Sequence, residues 1–276
     1  WGLDDVEFLD GDQARKEFPF LAPEVLQARF RRGDGLLDPR GLSLGLVAGS
    51  GAPALTRCAV TGFRVLGDRL VAVETSVGTI SAPAAVIAGG PLSALVAAAA
   101  GIDLPVETVR RQKLVMPDVP EVPADAPMVV DDDTGAHWRP ALGGAFLLYT
   151  DPTTPPSPPA EEVPTDSSFA FQLLDPGSPQ TVARISPFWR EVWRRGSAPW
   201  MLQAGQYTMT PDRRPLIGPT AIEGLYVNTG YSGRGVMGGP AGSRHLVDVV
   251  SGKVAPEDNP FRLDRGFAER PRLDPL

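Results

Sequence analysis

Leu225-Tyr226-Val227-Asn228, followed by Gly230-Tyr231-Ser232-Gly233-Arg234-Gly235-Val236-Met237-Gly238-Gly239, is the stretch on which the fold turns. A short apolar strand leads into a glycine-rich turn, and a helix is predicted to begin near Pro240. Glycines between strand and helix let a ligand approach the backbone. The unpaired N–H groups of the helix start, with the positive end of its dipole, then point at an electron-rich atom. A phosphate oxygen and a flavin carbonyl both suit such a turn, and so does a ligand-free role in packing helix on strand. Gly233, Gly235 and Gly238 spell G-x-G-x-x-G in the strand-to-helix setting of a dinucleotide fingerprint. That reading fails downstream: after a helix end near Gly252 only a polar, proline-containing tail remains, so no parallel strand completes a βαβ unit. A second near-match, Gly49-Ser50-Gly51-Ala52-Pro53-Ala54, follows a helix and places proline where the next helix should start, so it reads as a turn.

Upstream of this stretch, Asp10 and Asp12 can cap a short helix through Ala14 to Phe18. Asp38-Pro39 reads as an N-cap followed by proline at the first helical position. Leu42, Leu46 and Val47 then form an apolar face until Gly49 or Gly51. Three segments rich in Val, Thr and Ile, Ala54 to Leu66, Leu70 to Ser76 and Thr79 to Ile87, predict a β-meander turning at Gly67-Asp68 and Val77-Gly78. Ala85 to Ala88 crosses Gly89-Gly90-Pro91 into an Ala-rich helix over Leu92 to Ala100. Between Pro105 and Trp200 extended apolar segments, Met128 to Val130 and Phe146 to Tyr149, flank a proline-dense loop from Pro152 to Pro164. Arg184 to Arg195 reads as helix, with Trp189 and Trp193 on one face. No internal repeat is present. The expected organisation is a helical lead-in over 1–32, a first part of one domain with the meander over 33–104, an inserted antiparallel domain over 105–204, the returning part of the first domain over 205–252, and a tail over 253–276.

With 276 residues and 42% hydrophobic content the chain can bury a substantial core. A formal net charge of -7 argues against a nucleic-acid or anionic-membrane surface, both of which need clustered Lys and Arg. One cysteine, Cys58, excludes an intramolecular disulfide and makes a reducing cytoplasm the expected compartment. Two histidines, His137 and His245, do not suit a His-rich metal site. The most apolar tract, Pro83 to Gly101, is interrupted by Pro91 and falls short of a membrane span. The chain opens at Trp1 without a signal-like segment and reads as a fragment or a processed product.

The run Tyr207-Thr208-Met209-Thr210-Pro211-Asp212-Arg213-Arg214-Pro215-Leu216-Ile217-Gly218, then Gly224-Leu225-Tyr226-Val227, the glycine turn and Gly239-Pro240-Ala241-Gly242 closely resemble the C-terminal signature of the D-amino-acid oxidase superfamily. Gly35-Leu36-Leu37-Asp38-Pro39, the meander and Val86-Ile87-Ala88-Gly89-Gly90 resemble the middle portion of that family, in the right order. The resemblance implies an α/β chain with α+β character: an incomplete Rossmann-like FAD-binding domain plus an antiparallel substrate domain. It implies hydride transfer from the substrate carbon next to nitrogen to FAD. Val60 would lie near the adenine end, Gly89 and Gly90 would pass beside the cofactor, and Gly230 with Gly233 to Met237 would face the flavin pyrimidine edge.

Departures from the family pattern bear on the site. Monomeric sarcosine oxidases attach flavin through a cysteine matching Gly205, so a non-covalent FAD is expected here. A substrate-anchoring lysine matches Met237, and an arginine with that task matches Tyr207. Arg139 and Arg234 are candidate replacements, since a guanidinium forms a two-pronged bond to a carboxylate; each can equally be a solvated or structural arginine. Tyr207 can orient substrate through its hydroxyl or be a buried tyrosine satisfied by backbone. Trp138 can wall the pocket or belong to the core, His137 reads as structural, and Asp212 caps a turn. The family's N-terminal strand, glycine turn and first helix have no counterpart before Trp1, so a second chain supplying that nucleotide-binding segment is one expected partner, beside a small amine or amino-acid substrate. The rival expectation is a truncated, flavin-free protein acting as a non-catalytic binding or subunit-interface module.

Overall fold

The structure, a computed structural model, describes residues 4–267. Trp1 and residues 268–276 of the expected tail lie outside the described residues. In chain order the elements are β1 (Glu7–Asp10), α1 (Gly11–Glu17), β2 (Gln27–Phe30), α2 (Pro39–Ser50), β3 (Val60–Leu66), β4 (Arg69–Thr75), β5 (Gly78–Ser81), β6 (Ala85–Ile87), α3 (Ser93–Ala98), β7 (Glu107–Met116), β8 (Val129–Val130), β9 (His137–Ala141), β10 (Gly144–Leu148), α4 (Ser168–Leu174), α5 (Trp189–Arg194), β11 (Met201–Met209), β12 (Leu216–Pro219), β13 (Leu225–Thr229) and α6 (Gly235–Val250).

The strands form four sheets, in the orders β1-β2, β3-β4-β5, β12-β13-β6 and β11-β7-β10-β9-β8. The five-stranded sheet is antiparallel throughout. In the sheet β12-β13-β6, β13 runs parallel to β6, which lies far upstream in the chain. The mixed α/β fold with an antiparallel sheet is therefore present, and β11 continues across the expected domain boundary at 204/205.

Several local expectations hold for local reasons. The Asp10 side chain accepts from Gln13 N–H at 2.8 Å while Gln13 Oε1 accepts from Asp10 N–H at 2.9 Å, a reciprocal cap that starts α1. Asp38 caps α2 through Arg40 and Gly41 N–H, and Gly51, with φ of 65°, ends it. Other expectations need correction. The lead-in contains the strand pair β1-β2 as well as its helix. The meander strands are shorter than predicted: β3 starts at Val60, and Ala85–Ile87 leaves the meander to pair with β13. Pro83 explains the break, because it cannot donate to a ladder. The predicted helix over Arg184 to Arg195 begins only at Trp189, after Pro187; the residue before a proline is pushed away from helical geometry. Helix α4 was not expected at all.

Strand alternation places two different chemistries on the two faces of the five-stranded sheet. Leu114, Met116, Ala145, Leu147 and Trp138 point to one face, where they are buried against Phe169 and Leu173 of α4 and Trp189 and Val192 of α5. Trp138 is fully buried and donates from Nε1 to Ser186 Oγ at 3.0 Å; of its two readings, the core one is correct. A second core, with Leu70, Ile87, Ala97, Leu216, Leu225 and Val227, lies around the sheet β12-β13-β6.

Candidate cofactor and substrate site

Parallel pairing of β6 with β13 puts Ile87 opposite Val227, so both strands run out into glycine turns on the same side: Gly89-Gly90 after β6 and Gly230 to Arg234 after β13. Thr229 Oγ1 donates to Gly90 O at 3.5 Å and links the two turns. Gly230 and Gly233 have φ of 77° and 85°, a region that side chains rarely adopt, so glycine is required at both. Helix α6 begins at Gly235, earlier than the predicted start near Pro240. Pro240 removes a single donor, the one that would have reached Val236 O, and the helix passes through it. Gly238 N–H to Arg234 O, 2.8 Å, is the first helical bond, leaving the N–H groups of Gly235, Val236 and Met237 without helical acceptors.

The glycines of this turn divide into two tasks. A Cβ added at Gly238 or Gly242 would meet the Tyr231 ring or hydroxyl, at 3.2 Å and 1.9 Å, so these two make room for Tyr231 beneath α6. Tyr231 in turn donates to Asn228 Oδ1, and burial pushes its hydroxyl above the ordinary tyrosine range. Gly90 and Gly239 have open space beside them. The packing reading of the turn therefore applies to Gly238 and Gly242, and Gly90 and Gly239 are not explained by packing.

The second half of the site is the open face of the five-stranded sheet. Tyr207 and Gly205 on β11 lie opposite Val109 and Arg111 on β7, and Phe146 on β10 lies opposite Val115 and Arg139. Tyr207 is 38% exposed, which removes its buried-tyrosine reading. The guanidinium carbon of Arg111 sits 5.8 Å from the Tyr207 ring centroid. Lys113 Nζ and the Arg139 guanidinium carbon stand 4.1 and 4.6 Å from the Phe146 centroid. Burial pushes the Arg111, Lys113 and Arg139 cations below their ordinary ranges, and for Lys113 the charges of Arg139 and Arg40 add to it. Gly205, with open space where a Cβ would be, lies between Tyr207 and Gln203 on the same face.

The structure brings Gly89, Gly90, Gly205, Tyr207, Gly230, Gly233, Gly235, Val236 and Met237 to one region. Arg234 occupies the position before α6 and is half-buried. Arg139 is on the same sheet face as Tyr207 but three strand spacings away, and through Phe146 and Val115 it is level with Met201, six residues along β11 from Tyr207, so the two backbones are roughly 25 Å apart. Val60 opens β3, on the meander sheet, which joins the rest through Leu70 N–H to Glu223 O at 2.9 Å and the Arg69–Glu223 ion pair. His137 is buried, with Nδ1 2.8 Å from Gly135 O, and burial holds it below the ordinary histidine range. Asp212 accepts from Arg214 N–H at 3.1 Å, as a turn cap does, and also from two nitrogens of Arg265 at 2.8 Å each. Arg111, Lys113 and Phe146 escaped the sequence reading. The two cations two residues apart on a strand were the available signal, since that spacing puts both on one face.

The residues present fit a flavin by two observations. Ser93 Oγ, beside Gly89, and Ser232 Oγ, inside the second turn, are buried polar atoms without hydrogen-bond partners. Such atoms call for a polar ligand or water. An open surface groove of about 600 Å³ lies between α2 and the start of α6, lined by Leu42, Leu46, Gly235, Val236 and Gly239 among others.

Comparison with known proteins points the same way. The family model described as FAD dependent oxidoreductase, DAO, matches residues 1–249. The chain is 30% identical over 232 residues to a D-amino acid dehydrogenase of Cereibacter sphaeroides, covering 82% of this chain and 48% of that protein. It is 27% identical over 220 residues to the sarcosine oxidase subunit beta of an Arthrobacter species, covering 78% of this chain and 50% of that one. The chain thus spans about half the length of these relatives. In fold it is similar to L-proline dehydrogenase from P. horikoshii, with a TM-score of 0.76 at 21% identity over 94% of this chain and 67% of that one. Glycine oxidase from Geobacillus kaustophilus gives a TM-score of 0.75 at 24% identity, over 95% and 68%.

Proposed function

Because the chain belongs to the DAO family of FAD-dependent oxidoreductases, we propose that it forms the flavin- and substrate-facing part of an enzyme that oxidises the C–N bond of a small amino acid or secondary amine. The observation that carries this reading is the pair of glycine turns at the ends of adjacent parallel strands, facing the exposed side of Tyr207 and Gly205. Bound FAD supplies the two-electron acceptor. The N–H groups of Gly235, Val236 and Met237, at the positive end of α6, would stabilise negative charge on a flavin bound there. Gly89 and Gly90 would let the cofactor pass close to the backbone, and Val60 would stand toward its adenine end. Tyr207 orients the amine or carboxylate, Arg139 and Arg234 serve as guanidinium anchors, and the sheet face excludes water from one side.

A non-covalently held FAD belongs to the same proposal, supported by Gly205, which has no side chain to bond flavin. The apolar side chains of Leu44, Leu46, Val47, Val247 and Val250 are exposed on α2 and α6. Patches of this kind mark contact surfaces, and here a nucleotide-binding segment, on the same polypeptide or a second chain, covers them. The division into a cofactor part, 33–104 with 205–252, and a substrate part, 105–204, belongs to the same proposal. Among the described residues no helix is long and apolar enough to cross a membrane; the single cysteine supports a cytoplasmic site of action.

The test is the visible spectrum of the purified full-length protein with any co-purifying chain. Flavin absorption that acid precipitation releases into solution, and that sarcosine, glycine, proline or a D-amino acid bleaches without oxygen, is expected. No flavin band even after adding FAD would overturn the reading in favour of a flavin-free binding module.

A further inference from the structure

The open sheet face carries three cations, Arg111, Lys113 and Arg139, and none of them forms an ion pair with a carboxylate among the described residues. Most other arginines do: Arg15, Arg29, Arg31, Arg32, Arg64, Arg69, Arg184, Arg194, Arg195, Arg262 and Arg265 each contact an acid. In an acidic chain with 33 Asp and Glu against 26 Lys and Arg, three neighbouring half-buried cations without acids are a departure that needs a cause. Resting on the amine-oxidising reading, we propose that these residues bind a substrate with two carboxylates, an amino dicarboxylic acid, with one carboxylate at Arg111 and the other between Lys113 and Arg139.

The geometry separates two anion positions. Arg111 leans over Tyr207, whose ring backs onto Gly233, so it lies at the end of the face nearest the glycine turn. Its Nη1 donates to Arg110 O at 2.9 Å, whereas its Nε is buried and has no partner. Asp151 adds a favourable field from the side without contacting it, and Arg213 opposes it. Lys113 and Arg139 meet on the Phe146 ring, which holds both heads in place by cation–π attraction. Among the described residues Lys113 has no hydrogen bond besides, and Arg139 donates only to Pro140 O, at 3.2 Å. Arg111 and Lys113 are two residues apart on β7, roughly 6.5 Å along the strand, within reach of both ends of a four- or five-carbon diacid. Gathering like charges in a partly desolvated place costs free energy that the Phe146 ring offsets in part and a bound anion returns more fully. A substrate with a single carboxylate would satisfy one end and leave the other repelling itself.

Calorimetric titration of the full-length protein with glutarate, butyrate and inorganic phosphate tests this without turnover. Glutarate is expected to bind at least roughly tenfold more tightly than butyrate, each charge-assisted contact supplying about that factor. Lys113→Met should bring glutarate down to the level of butyrate, and Lys113→Arg should retain the preference. Equal affinity for glutarate and butyrate, or a preference for phosphate over glutarate, would overturn the proposal. A Lys113→Met variant that fails to fold leaves the wild-type comparison decisive. Parallel assays of flavin reduction by glutamate or aspartate of either hand, and by sarcosine, separate the two readings. A glutarate preference with no amine oxidised sinks the redox reading alone; oxidation of monocarboxylate amines with no glutarate preference sinks the diacid site alone.

Discussion

The Tyr207 ring lies against the backbone of Gly233 so closely that a Cβ on Gly233 would fall 2.4 Å from Tyr207 Cε2. Beside this contact Ser232 N–H donates to Thr208 O at 2.9 Å. The end of β11 and the turn before α6 are therefore joined at two points, and the sheet face cannot move relative to the helix start without breaking both. Preorganised donors act on developing charge only if they stay in place, and this junction keeps them there.

Gly233→Ala should accordingly destabilise the protein by about 1–3 kcal/mol, through a positive φ and the clash with Tyr207. Urea unfolding measures it. In the double variant with Tyr207→Ala the clash disappears, so the two effects should fail to add by about 0.5–3 kcal/mol. Simple additivity would mean that the ring and the turn are not coupled.

Asp212 and Arg265 form a buried two-pronged ion pair between the turn before β12 and the segment that follows α6. Burial alone would raise the Asp212 carboxyl, but the bonds from Arg265 and from Arg214 N–H outweigh it and leave it below the usual carboxylate range. Arg265→Met leaves a buried charge and should cost about 3–5 kcal/mol at pH 7. A carboxyl held low in the folded state stabilises fully above its unfolded value, near 3.9, and loses that contribution as pH falls through the folded value. The gap between wild type and variant in urea midpoints should therefore narrow in acid; a gap that is constant with pH counts against the ion pair.

Features made by neighbours in sequence were legible, and features made by distant strands were not. Asp10, Asp38 and Gly51 announce helix ends because caps bond within three or four residues. The glycine turn is legible for the same reason, although α6 starts five residues before Pro240, the residue that locally marks a helix start. Trp138 and Arg139 are adjacent, and only the strand parity set by β10 sends the first into the core and the second to the open face. Lys113 meets Phe146, which lies on another strand, so its place beside Arg139 is not readable from its sequence neighbours. The short helix α4 has one local start signal, Asp166, whose carboxylate accepts from Ser168 N–H at 2.9 Å, but seven residues are too few to hold a helix alone and its burial against the sheet supplies the stability.

Lys113 yields a prediction in the absence of ligand. Burial, with Arg139 and Arg40 nearby, penalises its charged form in the folded state. Lys113→Met should then raise the unfolding midpoint of the ligand-free protein at neutral pH. The sign reverses the usual lysine case: the penalty is present in full below the folded value and is gone once pH exceeds the unfolded value, near 10.4. Thermal melts between pH 7 and pH 10 should show the advantage of the variant shrinking as pH rises. A variant that is less stable at pH 7 would mean that the stacked ammonium stabilises the face.

Gly205 offers the sharpest separation of folding from cofactor binding. It lies in the middle of a strand, where glycine weakens the ladder, and nothing stands within 4 Å of the position a Cβ would take. Gly205→Ala should therefore be neutral or stabilising by about 0.5–1 kcal/mol. Gly205→Trp, projecting from the same open face, should also fold, because the added ring meets solvent and not the core. If FAD lies over this face beside Tyr207, the tryptophan variant loses flavin in equilibrium dialysis while its urea midpoint stays near that of wild type. Retention of full flavin binding by Gly205→Trp would move the cofactor away from β11, and with it the reason for placing the substrate on the sheet.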